Sequence, residues 1–257
     1  MSPAPRIGSI WGTPDIESAA AFYAGLFGWD FLPGGPEIGG YGMFRSNGRT
    51  VAGGMNIPVE QSPTAFTIYF QTADADATAA AVRAGGGEIL AEPADVMDLG
   101  RTAYFRDATG VPFAVWQPGV DKGLEMVADP GSLSWIELYT PDVQGARDFY
   151  RVVFEQDFFI VPMPGGGEYT TVNPKDTGTE AMFGGIVPLD MDPVESAEGS
   201  CWLPYFEVED VDTVVAKAEQ LGGKVRSAPI DLEGVGRFAK LADPFGARFA
   251  VIRTSSS

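Results

Sequence analysis

Short runs of alternating apolar and polar residues recur along the chain, and several are followed by a segment with helical spacing. Residues 133–150, LSWIELYTPDVQGARDFY, alternate first and then repeat apolar residues every three to four positions, which predicts a strand, a turn and the start of a helix. Residues 8–23, GSIWGTPDIESAAAFY, have the same layout. Asp15 of this earlier segment occupies a helix-cap position and Gly28, five residues after the segment, a helix-end position, so the predicted helix has defined limits.

Three blocks of the first half of the chain return in the same order in the second half. The matched segments are residues 13–31 with 140–158, residues 69–89 with 205–225, and residues 100–116 with 236–252. Ordered recurrence of three blocks predicts a tandem repeat. We therefore expect one module over residues 1–120, a linker over residues 121–130 and a second module over residues 131–257.

Each module also repeats its own plan. A strand is followed by a capped helix and then by Gly-rich strands, after which another strand, a helix capped by Asp74 and a hairpin with a turn at residues 107–110 follow. The pattern predicts an α+β fold of four βαβββ units, two in each module.

The helix pattern Pro-Asp…Ala-x-x-Phe-Tyr…Phe-Gly-Trp and the hairpin pattern Gly-Arg…Asp-x-x-Gly resemble the vicinal oxygen chelate superfamily. That superfamily includes glyoxalase I, extradiol dioxygenases and bleomycin-resistance-type binding proteins. The resemblance covers nearly the whole chain and points to a two-module, glyoxalase-like protein. It implies tandem modules, each an eight-stranded sheet curled into a cup. This fold supports many chemistries, so the function must be argued from the site.

Composition narrows the chemistry. The 257 residues include no histidine and one cysteine, and the formal net charge is −18. Catalysis by Ser-His-Asp or Cys-His groups is excluded, and so is an internal disulfide. Because a chain with this negative charge repels nucleic acid and anionic membranes, neither is an expected partner. With no signal peptide and no apolar run long enough to span a bilayer, we expect a cytoplasmic protein.

The resemblance also implies where a metal would be held, on three strands of each module. Counting from the helix-cap and hairpin aspartates places these positions on Gly8, Thr67 and Ala114 in the first module, and on Trp135, Leu203 and Ala250 in the second. None carries a suitable side chain; Thr67 offers at most a weak neutral oxygen. We therefore predict no metal and no other cofactor.

Residues two apart on a strand share a face, so the neighbours of these positions should line the cups. The second cup would present Glu137, Tyr139, Tyr205 and Glu207 beside Trp135 and Leu203, whereas the first would present Tyr69, Thr67 and Trp116 and no carboxylate. We expect the second cup to carry any chemistry. Glu137, Glu207 and Tyr139 are the candidate proton carriers, although strand-end carboxylates also serve structural roles by pairing with arginine or capping a turn.

Further polar residues have two interpretations. Tyr169 and Tyr205 could donate hydrogen bonds to a ligand carbonyl or phenolate. Arg237 could bind an anionic ligand or pair with Asp231 within its own module, as Arg101 could with Asp95. The acidic residues 190–200 are expected to form a solvated loop.

Two functions remain open from the sequence. One is a metal-independent enzyme that uses acid–base chemistry (dehydration, cyclisation or isomerisation) on an aromatic or carbonyl-rich small molecule such as a secondary metabolite. The other is a non-catalytic protein of the bleomycin-resistance type that binds and sequesters such a molecule. Either a monomer with paired modules or a homodimer is compatible with the repeat.

Overall fold

The structure, a computed structural model, describes residues 7–35, 40–57, 64–162 and 167–255. These residues form helices and strands in the predicted order. The elements of the first module are β1 (Ile7–Thr13), α1 (Ile16–Phe27), β2 (Asp30–Pro33), β3 (Gly42–Ser46), β4 (Arg49–Asn56), β5 (Ala65–Gln71), α2 (Ala75–Ala84), β6 (Glu88–Val96), β7 (Gly100–Arg106) and β8 (Pro112–Pro118).

The second module repeats this order and adds one short helix. Its elements are β9 (Leu133–Thr140), α3 (Val143–Phe154), β10 (Asp157–Pro162), β11 (Glu168–Asn173), β12 (Gly184–Pro188), α4 (Pro193–Glu198), β13 (Cys201–Glu207), α5 (Val211–Gln220), β14 (Lys224–Leu232), β15 (Gly236–Ala242) and β16 (Arg248–Thr254).

Each module contributes one eight-stranded sheet. The strand orders are β2-β3-β4-β1-β5-β8-β7-β6 and β10-β11-β12-β9-β13-β16-β15-β14, so the two sheets have the same topology. In the second sheet β9 runs parallel to β12, and β13 runs parallel to β16. The prediction of an α+β fold with two tandem eight-stranded modules is confirmed.

Local sequence signals explain where the helices begin and end. The Asp15 side chain accepts a 3.0 Å hydrogen bond from the Ser18 amide at the start of α1, and Asp142 does the same for Gly145 at 2.8 Å in α3. These bonds satisfy amides that have no partner within the helix. Gly28 ends α1 in the left-handed conformation, with φ of 71°. A glycine adopts this conformation without a steric penalty, so α1 stops where the sequence predicts.

The chain packs as two compact units, and each draws on both sequence modules. Among the residues that the structure describes, one unit contains Ile7 and those within 68–123 and 136–202, and the other contains those within 8–67, 124–135 and 203–255. Each unit has an aromatic core. In the first, Tyr150 packs against Phe70, Phe113 and Trp202, and in the second Tyr23 packs against Phe44, Phe66 and Phe249.

The prediction for residues 190–200 is wrong, because part of this segment is helical. Asp192 caps α4 by accepting a 2.9 Å hydrogen bond from the Val194 amide, and Pro193 stands at the first helical position. An Asp-Pro start of this kind favours a helix. Glu195 is fully buried rather than solvated. The many acidic residues of this segment led to the prediction of a loop, although the Asp192-Pro193 pair favours a helix start.

No helix among the residues described is long and apolar enough to cross a membrane.

Candidate functional site

The centre of the candidate site is strand β9. Alternation along this strand directs Trp135, Glu137 and Tyr139 to one face. Ile136 and Leu138 point to the opposite face and are fully buried. On the first face Trp135 and Glu137 are half-buried, whereas Tyr139 is buried. A carboxylate therefore lies on a partly accessible surface between aromatic side chains, as predicted.

Glu137 is hydrogen-bonded through both carboxylate oxygens. The Tyr169 hydroxyl donates to Oε1 at 2.8 Å, and the Tyr139 hydroxyl donates a short hydrogen bond to Oε2. Tyr139 is the second residue after Glu137 on the same strand, but Tyr169 comes from β11. The structure thus brings together three residues that were separate candidates in the sequence, and Glu137 accepts a hydrogen bond from each of the two tyrosines.

Gly185 makes room for this arrangement. It stands opposite Glu137 in the parallel pairing of β9 with β12. A Cβ atom added at Gly185 would lie 1.9 Å from the Tyr169 hydroxyl oxygen and 2.2 Å from the ring carbon Cζ. Any larger residue would therefore displace the tyrosine. The glycine allows the Tyr169 ring to lie directly over the strand and reach Glu137.

The first module has the same geometry without the carboxylate. Gly53 pairs with Ile10 of β1, and a Cβ atom at Gly53 would lie 2.6 Å from the Tyr41 hydroxyl oxygen and 2.9 Å from Cγ1 of Ile10. A tyrosine over a glycine is thus common to both modules, whereas Glu137 is replaced by Ile10 in the first. Of these two places, the one in the second module has a carboxylate beside the tyrosine.

Glu207 has a different environment. It is 7% exposed, and its Oε1 accepts hydrogen bonds from the amide of Thr254 at 2.9 Å and from the Thr254 hydroxyl at 3.2 Å. Its Oε2 accepts a 3.0 Å hydrogen bond from Ser134. These contacts hold the end of β16, which is the structural role that the sequence left open for a strand-end carboxylate.

A second polar group on the second sheet was missed by the sequence analysis. Ala250 of β16 pairs with Tyr205 of β13 on one side and with Lys240 of β15 on the other. Lys240 is 2% exposed, and Tyr205 is 4% exposed. Leu203, two residues before Tyr205, is fully buried. The signal for Lys240 was a single lysine in the otherwise apolar stretch FAKLA, at the alternate position from Phe238.

Two of the predicted ligand-binding residues of the first module, Tyr69 and Trp116, make hydrogen bonds within the chain. The Tyr69 hydroxyl is 2.5 Å from the Tyr104 hydroxyl, so these two phenols bind each other. The indole of Trp116 donates a 3.1 Å hydrogen bond to the Asp121 carbonyl and covers Gly100, whose added Cβ would lie 2.5 Å from Cζ2. Thr67 is half-buried on β5.

Arg237 is held by aspartates of its own module. It makes two 2.8 Å contacts with Asp212 and a 2.6 Å contact with Asp231. Arg101 pairs in the same way with Asp76 at 2.8 Å and with Asp95 at 3.0 Å. The predicted partners Asp231 and Asp95 are confirmed. Because its charge is already matched by two carboxylates, Arg237 is a poor candidate for binding an anionic ligand.

The residues present do not fit a metal of the kind that the resemblance implies. Ala114, Leu203 and Ala250 are fully buried apolar side chains, and Gly8 carries no side chain. Within residues 7–35, 40–57, 64–162 and 167–255, no three His, Cys, Asp or Glu side chains are grouped so that they could hold a metal ion.

Sequence comparison shows that the chain belongs to the Glyoxalase/Bleomycin resistance protein/Dioxygenase superfamily, whose sequence pattern matches residues 10–115 and 132–251. The two matched stretches confirm the resemblance and the tandem arrangement.

Two relatives match nearly the whole length of the chain. The anthracycline biosynthesis protein DnrV of Streptomyces peucetius is 36% identical, and the match covers 94% of this chain and 90% of that protein. CFP32 of Mycobacterium tuberculosis is 34% identical over 94% of this chain and 91% of that protein. Among solved structures, the Mn(II)-bound glyoxalase from Novosphingobium aromaticivorans has a TM-score of 0.63 at 17% identity, with 98% of this chain and 84% of that chain covered. At this identity the likeness supports the fold alone.

Proposed function

We propose that this protein is a metal-independent enzyme that uses Glu137, Tyr139 and Tyr169 for acid–base chemistry on an aromatic, carbonyl-rich small molecule. The observation that carries the proposal is the pair of hydrogen bonds that Tyr139 and Tyr169 donate to the two oxygens of Glu137. With no histidine in the chain, the carboxylate and the phenols of this cluster are the groups that can carry a proton beside a ligand bound there.

The geometry supports a proton relay. The hydrogen bond from Tyr169 to Glu137 gives a path along which a proton can move between the phenol and the carboxylate. The phenol oxygen can take a proton from a ligand C–H beside a carbonyl while its own proton moves to Glu137. Return of that proton to a different carbon or oxygen completes an isomerisation. Its delivery to a leaving hydroxyl group releases water and completes a dehydration.

Two further observations support the ligand class. Trp135 lies two residues before Glu137 on the same face of β9, and Tyr139 lies two residues after it, so a flat ring would meet aromatic surface at the reacting group. DnrV, which covers nearly the full length of this chain, is named for anthracycline biosynthesis. Anthracyclines are polycyclic, phenol- and carbonyl-rich molecules, so a related secondary metabolite is the substrate class that we propose.

Metal independence is supported by the chemistry of the residues at the positions where a ligand set is expected. Alanine, leucine and glycine offer no side-chain donor to a divalent ion. Elemental analysis of the purified protein tests this part. Stoichiometric manganese, iron, nickel or zinc that is required for turnover would contradict it.

A binding protein is the second candidate. It is favoured by the fact that both oxygens of Glu137 already accept a hydrogen bond, because a satisfied polar cluster can orient a ligand without reacting. In this case Glu137 would position the two phenols as hydrogen-bonding groups for a carbonyl-rich drug or metabolite.

Incubation with anthracycline aglycones, followed by mass spectrometry, separates the two candidates. An enzyme releases an isomer or a product that has lost water, and replacing Glu137 with glutamine removes the product while binding remains. The Glu168→Gln variant is the matched control, because Glu168 is exposed and adjacent to Tyr169 in β11. Ligand that binds but is recovered unchanged with each aglycone would contradict the enzyme and support the binding protein.

A further inference from the structure

Lys240 is a buried cation on the second sheet. Of the lysines and arginines that the structure describes, it is the one that is buried, with 2% exposure. A lysine is almost never fully buried unless its ammonium group has a partner. Lys240 does take part in an interaction within the protein. An ammonium group has three donors, so it can bind a ligand oxygen in addition to an existing partner.

The face of the sheet that carries Lys240 is turned away from the helices. Lys240 pairs with Ala250 across the β15–β16 ladder, so both point to the same side. Leu241 pairs with Phe249 on the opposite side. The Phe249 ring contacts Tyr23 and Phe27 of α1, at centroid distances of 6.0 and 6.2 Å. The side that packs on helices is therefore the Phe249 side.

Aromatic residues adjoin Lys240 on its own side. Tyr205 lies across Ala250 from it, and Phe238 is two residues before it on β15. The Tyr205 and Phe238 rings meet edge to face, with centroids 6.1 Å apart and planes at 60°. The polar residue paired with Lys240 on β14 is Ser227. Lys240 therefore shares one face of the sheet with two aromatic rings, and this combination matches a ligand with an ionised oxygen on an aromatic system.

The first module shows that the fold does not require this lysine. Tyr104 of β7 pairs with Ala114, which in turn pairs with Tyr69, so Tyr104 occupies the place that Lys240 has in the second module. There the Tyr69 and Tyr104 hydroxyls bind each other. The same ladder is therefore built with two neutral phenols in one module and with a phenol and an ammonium group in the other.

We propose that Lys240, with Tyr205 and Phe238, forms a subsite that binds the ionised oxygen of a hydroxyquinone, an enolised dicarbonyl compound or an aromatic acid. The ligand loses its proton to solvent, and the Lys240 ammonium binds the oxygen anion while the two rings contact the aromatic system. The charge is needed locally because the protein as a whole carries −18 and repels anions. This inference deepens the proposed function by naming the form of the ligand, but it does not depend on turnover at Glu137.

Spectrophotometric titration of 1,4-dihydroxyanthraquinone tests the inference, because its phenol and phenolate differ in visible absorption. We expect binding to wild-type protein to lower the apparent pKa of the probe, with a rise in the phenolate-to-phenol ratio of about tenfold or more at a fixed pH. The Lys240→Met variant should bind without this change. Lys224→Met, which removes an exposed lysine of the neighbouring strand β14, should behave as wild type.

Two further variants keep the test decisive if Lys240→Met does not fold, as judged by circular dichroism. Lys240→Arg should retain part of the shift, and Tyr205→Phe should bind more weakly but keep the shift. The inference would be overturned if Lys240→Met kept the full shift in the apparent pKa of the probe, or if Lys224→Met lost that shift. It would also be overturned if the phenolate-to-phenol ratio of the probe bound to Lys240→Arg equalled that of the free probe. A probe that stays neutral when bound, or that does not bind, would overturn it as well. If aglycone turnover still required Glu137, the proposed function would survive any of these failures.

Discussion

The Tyr150 hydroxyl donates a 3.0 Å hydrogen bond to Oδ2 of Asp107, a residue that precedes it by 43 positions. The other oxygen of Asp107 accepts the amides of Thr109 and Val111 at 2.8 and 3.0 Å, which closes the turn between β7 and β8. Tyr23 and Asp243 form the equivalent pair at 3.2 Å. Each pair joins the first helix of one sequence module to the closing hairpin of the other, so the repeats are tied together reciprocally.

A double-mutant cycle on Tyr150 and Asp107 should reveal this tie. Tyr150→Phe leaves a buried carboxylate oxygen and the Trp202 indole, which donates to Tyr150 at 2.8 Å, without a partner. We expect a loss of unfolding free energy of about 1–3 kcal/mol for this variant. Tyr150→Phe in an Asp107→Asn background should lose less. Additive losses in urea unfolding would contradict direct coupling between the two side chains.

The stability of the fold should depend on pH through the titration of Asp107 and Asp243. Burial raises the pKa of Asp107 and of Asp243 above the ordinary value of 3.8, despite opposing hydrogen bonds. The folded protein therefore binds these protons more tightly than the unfolded chain, and the resulting stability is lost as pH rises through the raised pKa. Asp107→Asn cannot titrate there. The unfolding free energy of wild type minus that of the variant should fall with rising pH above 3.8, and a constant difference would contradict the assignment.

The helix limits and the two-module repeat could be predicted from local sequence. Asp15, Asp74 and Gly28 set helix limits through contacts within a few residues, and such signals do not depend on the rest of the fold. The recurrence of these signals predicted two modules of the same topology. The composition of the two compact units could not be read in this way, because the Tyr150–Asp107 and Tyr23–Asp243 contacts span 43 and 220 positions.

The candidate site was readable only in part. Strand alternation predicted that Glu137 and Tyr139 share a face, since neither requires a partner from another strand. The hydrogen bond from Tyr169 depends on the pairing of β11, β12 and β9, and on the space above Gly185. Lys240 was missed because a lysine on a strand is ordinarily solvated, and its burial follows from packing of residues distant in sequence.

Replacing Gly185 with alanine should separate Tyr169 from Glu137. The new Cβ would occupy the position of the Tyr169 hydroxyl, and the tyrosine side chain would have to rotate away. We expect ligand affinity to fall about fivefold, the equivalent of one hydrogen bond of about 1 kcal/mol, and turnover to fall about 10²- to 10⁴-fold because the proton relay from Tyr169 to Glu137 is broken. Gly53→Ala imposes the same change on Tyr41 in the first module, where Ile10 replaces the carboxylate. Equal losses in both variants would show that the effect is general strain and not the loss of the Tyr169–Glu137 contact.

If Glu137 moves a proton in the reaction, replacing it with glutamine must lower the turnover rate. The measurement uses protein dialysed against a metal chelator, with an aglycone that the wild type converts, and compares Glu137→Gln with Glu168→Gln. We predict that Glu137→Gln loses about 10²- to 10⁴-fold in turnover at nearly unchanged ligand affinity, while Glu168→Gln and chelator-treated wild type keep their rates. A Glu137→Gln variant that turns over at the wild-type rate, or a wild type inactivated by the chelator and restored by metal, would contradict the account.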